Sequence, residues 1–500
     1  MPDRIAAADV RSAPAVAAAS TPHLKRVLGT WDLALLCVVA VANLNLVPVV
    51  AAGGAVMIWF WLLALLFFFW PQGIAVIELS RRYPGEGGIY LWSKERFGPF
   101  HGFLAGWCYW TNNVFYIPTL LLYLVGIAVY IGGPQYVALG EHKGFVFTAA
   151  ILLLVLLVAL NVRGLGLGKW VNNAGAVGTG VAAAALAGLA LLLLGRHGST
   201  LAAADFRFAA GDWTVVNTFG VICFGLVGLE LGSVMGDEIR DPRRTVPRGV
   251  LWGGIASGVL YMGVTLAVLL ALPRAQIGAV QGILQAVTQM ADSLDLGWLV
   301  SPVAFVLTIS IAGIASAWLS GSARIPFVAG LDRYLPASLG RLHPRYGTPY
   351  VALIVHAVFS GIFVAMSFFG ATVEQAYKTM LDLAVVLQLV PFLYLYAALV
   401  DLARLPEDGR GRYSKGMLWF AGLSGLVTTS LGMLVAFVPQ REGEAVWFFE
   451  TKMLVGTLIF LALAAFFYFP YSRRKAALLA AAAGTGAASA VDFPGAGGAL

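Results

Sequence analysis

The run Phe224–Gly249, FGLVGLELGSVMGDEIRDPRRTVPRG, combines two features that a helix meant only to span a membrane does not need. It begins within a longer apolar segment that carries Gly220, Gly225, Gly228, Gly232 and Gly236, and a single carboxylate, Glu230. A glycine costs about 1 kcal/mol relative to alanine inside a helix. A carboxylate at the bilayer centre costs roughly 2.5–3.5 kcal/mol on insertion scales. A helix that is broken to hold a ligand uses both. Glu230 admits three roles: binding a substrate amine, carrying a proton, or bonding to unwound backbone and holding the break open. Phe224 is a candidate to shape or gate the same pocket.

A second interrupted segment lies near the N-terminus, with Asn43, Asn45, Pro48, Gly53 and Gly54 inside an apolar stretch. The two segments lie five helices apart, so the second of two equivalent units is inverted relative to the first. Paired interruptions of this kind point to a transporter site. Unwound backbone at mid-membrane exposes N–H and C=O groups that lipid cannot satisfy. The expectation is that Gly53 and Gly54 open the second half of the first broken helix and offer N–H groups to a substrate carboxylate. Asn45, Phe224, Gly228 and Glu230 then shape the amine and side-chain region. Asn112, Asn113 and Tyr116 are candidates to line a polar path. Asp382 is either a second carboxylate of the pocket or part of a solvated vestibule.

These segments are positioned by a chain that is 60% hydrophobic and 11% charged over 500 residues. A soluble chain carries about 25% charge. At about 20 apolar residues per span, the length allows roughly a dozen spans. The pattern predicts twelve helices near Trp31–Ala52, Val56–Leu79, Phe103–Tyr130, Gly144–Asn161, Asn173–Leu194, Trp213–Gly236, Gly249–Leu272, Gly297–Ser322, Tyr350–Phe369, Thr379–Val400, Gly416–Val438 and Val446–Pro470. With both termini cytoplasmic, 25 of the 32 Lys and Arg residues fall inside and 7 outside, as the positive-inside bias requires. The net charge of +7 therefore reflects basic loops on a multi-pass protein of the cell membrane, and nucleic acid is not an expected partner. Residues 1–27 and 476–500 read as disordered tails. Tyr90–Phe100 suits an interfacial helix, or a packed turn. Cys37, Cys108 and Cys223 lie in apolar segments, so no disulfide framework is expected. No nucleotide, zinc-protease or serine-hydrolase motif is present, so no cofactor, metal or catalytic residue is expected.

Three longer runs carry a resemblance. Phe69–Gly98, FWPQGIAVIELSRRYPGEGGIYLWSKERFG, is similar to the helix 2–3 region of the amino acid–polyamine–organocation permeases. Gly228–Pro247 resembles their sixth helix and following loop, and Gly321–Pro336, GSARIPFVAGLDRYLP, the end of their eighth helix. The spacing resembles the glutamate/γ-aminobutyrate antiporter and polyamine permease branches. The resemblance implies an all-α, leucine-transporter-like fold. Two five-helix repeats of opposite topology, residues 28–195 and 213–400, would be followed by two peripheral helices at 416–470. It also implies alternating access, with the substrate between the breaks of helices 1 and 6. Helix 1 reads NLNLVPVVAAGGA where many members carry a G-x-G-like break, and helix 5 lacks the lysine of some proton-coupled members. Ser316 and Ser320 are candidates for a sodium site. The expected function is secondary transport of an amino acid, proton-coupled or by exchange. A polyamine transporter and a non-transporting sensor are the alternatives.

Overall fold

Residues 26–199, 201–208, 213–368, 372–406, 411–437 and 446–484 are described by the computed structural model. Among them, twelve apolar helical stretches follow one another. They are α1 (Thr30–Ala51, interrupted), α2 (Met57–Arg82), α3 (Pro99–Gly132), α4 (Lys143–Val162), α5 (Leu165–His197) and α6 (Trp213–Gly225, resuming at Leu231–Val234). Then come α7 (Pro242–Ala271), α8 (Val300–Ser322), α9 (Tyr350–Ser367), α10 (Val373–Arg404), α11 (Lys415–Val435) and α12 (Val446–Gly484). Ten of these stretches are long and apolar enough to cross a membrane, and α6 and α9 are shorter apolar helices. The chain is a multi-pass membrane protein. Large apolar side chains such as Leu152, Val259 and Val427 face outward, while Asn43, Asn45, Gln72 and Glu230 are buried. Lipid accepts the first set and excludes the second.

Packing partners are exchanged between the first five helices and the next five. α3 lies along α10, and α8 lies along α5; α1 packs on α7, α5 and α8. The α5–α8 contact is close enough that two glycines meet. A Cβ on Gly313 would sit 2.5 Å from the Cα of Gly175, and one on Gly175 would sit 2.6 Å from the Cα of Gly313. Small residues bring membrane helices together in this way. α11 then packs on α10 and α6, and α12 on α3 and α10. In α2, Leu65–Phe69 forms a π-turn. Such a turn frees carbonyls, and here the Phe68 carbonyl accepts the Tyr396 hydroxyl at 2.6 Å and the Phe67 carbonyl that of Thr428 at 3.2 Å.

The structure refines the expected elements at three places. The run read as an interfacial helix or a packed turn forms the helix Ile89–Phe97, which packs on α3 and α10 with Ile89, Tyr90 and Trp92 buried. The C-terminal tail does not begin at 476, because α12 continues to Gly484; its alanines are strong helix formers. Residues 1–25 and 485–500, the rest of the expected tails, lie outside the described residues. An unexpected helix, Gly282–Ser293, buries Ile283, Leu284, Val287, Met290 and Ala291. That is one apolar face on a helix too short to span. A Cβ on its Gly282 would lie 2.8 Å from Pro48 Cβ, so this helix covers the second half of α1.

The α5–α8 contact leaves no room for a side chain. Gly313→Val is expected to destabilise the purified protein by about 1–3 kcal/mol, the usual cost of overpacking, read as a lowered unfolding temperature in detergent. An unchanged temperature would show that the two helices can separate freely.

Candidate functional site

α1 breaks at Ala42–Asn43. Ala42 (φ −75°, ψ 63°) and Asn43 (φ −77°, ψ 80°) form two successive inverse γ-turns. Their short hydrogen bonds run from Asn43 N–H to Val41 O and from Leu44 N–H to Ala42 O, at 2.7 and 3.0 Å. The chain then winds through Leu44–Leu46 into Val47–Ala51, with Pro48 in the first turn, where a missing N–H costs nothing. The freed carbonyls find side chains. Ala40 O accepts Asn43 Nδ2 at 2.8 Å and Trp318 Nε1 at 3.1 Å.

α6 breaks after Gly225 and resumes at Leu231. Gly228 has φ +138°, a conformation open to glycine and rarely to other residues. A Cβ there would also lie 2.8 Å from the carbonyl carbon of Ala40. The two broken backbones therefore touch, and only a glycine fits between them. The hydroxyl of Tyr261, from α7, lies between the breaks. Its oxygen accepts the Asn43 N–H at 3.0 Å and is 2.6 Å from the Val41 carbonyl and 2.7 Å from that of Gly225.

Glu230 is fully buried. Its Oε2 accepts Gln72 Nε2 at 2.8 Å and the Gly228 N–H at 2.9 Å, and its Oε1 accepts the Tyr109 hydroxyl at 3.0 Å. The carboxylate ties unwound α6 to α2 and α3 through three neutral donors. Asn45 is held in turn: the Tyr377 hydroxyl donates to its carbonyl at 2.9 Å, and the Tyr116 hydroxyl reaches its Oδ1 at 3.4 Å. The Tyr116 ring stands edge-on to Phe224 (5.0 Å between centroids) and to Trp318 (6.1 Å). Asn43 Oδ1 is a buried acceptor with no partner in the protein. The breaks thus border aromatic rings, amides and hydroxyls, an arrangement suited to binding.

Of the residues singled out from sequence, Asn45, Phe224, Gly228 and Glu230 come together here. Gly53 and Gly54 do not. They follow the second half of α1, ten residues beyond Asn43 and so roughly 15 Å along a helix. Their N–H groups already donate to Val50 O and Ala51 O, at 2.9 and 2.8 Å. Gly54, at φ +87°, ends the helix as glycines commonly do. Both line a separate cavity of about 450 Å³ with Asp205, Arg207 and Arg274, and Arg274 Nε donates to Ala52 O at 2.7 Å. Asn113 donates its amide to the Tyr109 carbonyl one turn back, at 2.9 Å. Asp382 is half-buried on α10, and Tyr377 is the α10 residue that bonds the α1 break. His356 lies 3.3 Å from the Ser322 hydroxyl. Ser316 accepts Asn161 Nδ2 and Ser320 accepts Arg324, both at 3.1 Å. Tyr261, Gln72, Tyr109 and Tyr377 were missed. Gln72 was the most visible of them, an amide inside an apolar run.

On the basic face a second polar group closes the loops. Arg324, 2% exposed, bonds Glu238 Oε1 through Nε at 2.6 Å and lies 3.3 Å from Glu86 Oε1. It also donates to the carbonyl of Ser320. Two carboxylates on one buried guanidinium leave a surplus negative charge. Burial pushes Glu86 well above the ordinary carboxylate range and Glu238 upward; Asp237 adds to both shifts and Arg324 opposes them. Nearby, Asp332 receives Tyr90 at 2.6 Å and Lys94 at 2.7 Å, Arg96 pairs with Asp401, and Ser80 bonds Ser233 at 2.8 Å.

Two broken helices stapled together at a buried polar centre, inside a multi-pass helical protein, are the arrangement of a membrane permease. Residues 28–464 match the family model described as amino acid permease, and the chain belongs to that family. It is 27% identical to an uncharacterized transporter of Legionella pneumophila, over 88% of this chain and 96% of that protein. It is 23% identical to a protein of Lactococcus lactis named a probable agmatine/putrescine antiporter, over 86% and 92%. An uncharacterized transporter of Mycobacterium tuberculosis is 26% identical, over 60% of this chain and 64% of its own.

Tyr261→Phe removes the shared hydroxyl, leaving Asn43 N–H and Val41 O only their short turn bond to each other and the Gly225 carbonyl without this donor. A loss of about 1–3 kcal/mol is expected, measured as detergent-solubilised thermal stability. A variant as stable as the parent would show that the hydroxyl does not hold the breaks.

Proposed function

We propose that this protein is a secondary transporter of amino acids, working by alternating access across the cell membrane with its basic face cytoplasmic. The observation that carries the reading is the state of Glu230. Its two oxygens are engaged by Gln72, Gly228 and Tyr109, so it serves the break and is not spare for a substrate cation. A zwitterion needs no free carboxylate. Its own carboxylate is drawn to the start of the second half of α1, beside Asn43 and Asn45, where the helix end is positive. Its amine is drawn to the carbonyl end of the first half of α6 and to Asn43 Oδ1. Phe224, Tyr116 and Trp318 surround the side chain. Protons or a counter-substrate drive the cycle.

Polyamine transport is the second reading, favoured by the name of the Lactococcus relative. It requires two separated carboxylates facing the pocket, and Asp382 would have to join Glu230. Uptake by reconstituted vesicles, with labelled amino acids and polyamines under imposed proton and sodium gradients, separates the readings. Amino-acid uptake is expected. Polyamine uptake alone would sink the amino-acid reading, and binding without any uptake would point to a sensor. Glu230→Gln keeps the size but sets an amide where three donors converge. It is expected to lower uptake at least tenfold, about 1.4 kcal/mol in the barrier, and wild-type rates would remove Glu230 from the working site.

The Glu86–Glu238–Arg324 group acts as the basic-face gate in this reading. A carboxyl whose pKa is raised in the closed arrangement binds more protons there than when the gate opens to water. The closed form is then favoured at low pH and loses that advantage as pH rises from the ordinary carboxylate value through the raised one. A cysteine introduced at Ser233 should therefore label faster with a permeant thiol reagent as pH rises, beyond the thiol's own titration. Glu86→Gln should flatten the profile. An unchanged profile in that variant would remove Glu86 from the gate.

A further inference from the structure

The lipid-facing surface between α2 and α7 holds a furrow outside the polar centre. Gly73 on α2 and Gly254 and Gly258 on α7 line it, and the missing side chains open a cavity of about 680 Å³. Trp70, Leu251, Ile255 and Val259 form exposed apolar walls. Along α2 the lining runs from Leu65 to Ile77, about 18 Å at 1.5 Å per residue. One leaflet of a bilayer is about 15 Å of hydrocarbon deep. The furrow is thus one leaflet long and apolar throughout its length.

Its basic end is charged. Following the lined face of α7 back from Leu251 by helical steps leads to Arg248 and then Arg244. Following that of α2 past Ile77 leads to Arg81. All three are exposed. Among the described residues, Asp241 lies 3.8 Å from Arg244 in an exposed pair, and Glu78 is occupied by Arg82 and the Arg412 N–H. Tyr413 closes the lining where α11 begins, the depth at which aromatic residues favour the membrane interface. An apolar trough one leaflet long, headed by arginines, complements an acyl chain below a phosphate.

We propose that this furrow binds an anionic phospholipid of the leaflet on the basic side, with its phosphate at Arg244 and Arg248 and one acyl chain along Gly254 and Gly258. The bound chain would touch the working site. Leu229, between Gly228 and Glu230, forms part of the lining, and the Cβ positions of Gly73 and Gly254 lie 3.7 and 3.8 Å from its methyl carbons. A seated lipid therefore supports the α6 break from behind.

The test uses the full chain in phosphatidylcholine vesicles doped with spin-labelled phosphatidylglycerol or spin-labelled phosphatidylcholine, reading the motionally restricted fraction. The wild type is expected to prefer phosphatidylglycerol. The preference should fall about fivefold in Arg248→Gln and about 25-fold in the double variant with Arg244→Gln, following roughly 1 kcal/mol per arginine near an anionic surface. Gly258→Leu, which fills the furrow, should release the restricted lipid while both arginines remain. The proposal is overturned if the double variant keeps the wild-type preference. It is also overturned if Gly258→Leu holds as much lipid as before, or if Arg163→Gln, an exposed basic-face change just past α4, lowers the preference equally.

Discussion

Everything in this molecule's centre answers one constraint: a peptide group that leaves its helix inside a membrane must find a partner there. α1 and α6 each leave such groups, and the polar side chains around them are spent on them. Trp318 meets Ala40, Tyr261 meets Val41 and Gly225, and Glu230 meets Gly228. The π-turn of α2 obeys the same rule through Tyr396 and Thr428. The helices that supply these donors are thereby fixed around the breaks, and the order of packing follows.

The constraint also explains how charge is distributed. The buried carboxylate of Glu230 is met by three neutral donors and not by a cation. Ion pairs gather on the basic face, where Arg324, Lys94 and Arg96 join loops that belong to different helices. Hydrogen bonds thus hold the two breaks to each other, and charge holds the basic-face loops together. On the opposite face a short helix lies over Pro48 and a cavity lies beside Gly54. The two ends differ in what must be broken to open them.

Much of this was legible in sequence, for physical reasons. Twelve apolar runs, the glycine-rich break at Gly228 and the isolated Glu230 each carry a local cost that composition displays. The break in α1 was placed wrongly because glycine pairs draw the eye, and Gly53–Gly54 in fact ends the helix. The true break, at Ala42–Asn43, uses γ-turns open to ordinary residues, and its stabilising groups come from 218 and 278 positions away in the chain. Tyr261 looks like any aromatic in an apolar helix, and its partners exist only once α7 lies against α1. The helix Gly282–Ser293 was overlooked for its length, although its apolar spacing was present.

The Tyr261 hydroxyl has one hydrogen and two carbonyls within reach, so it can donate fully to Val41 or to Gly225 but not to both. A small shift of α6 against α1 exchanges one of these bonds for the other instead of breaking one outright. The breaks of α1 and α6 thus share a single hydroxyl hydrogen as their latch.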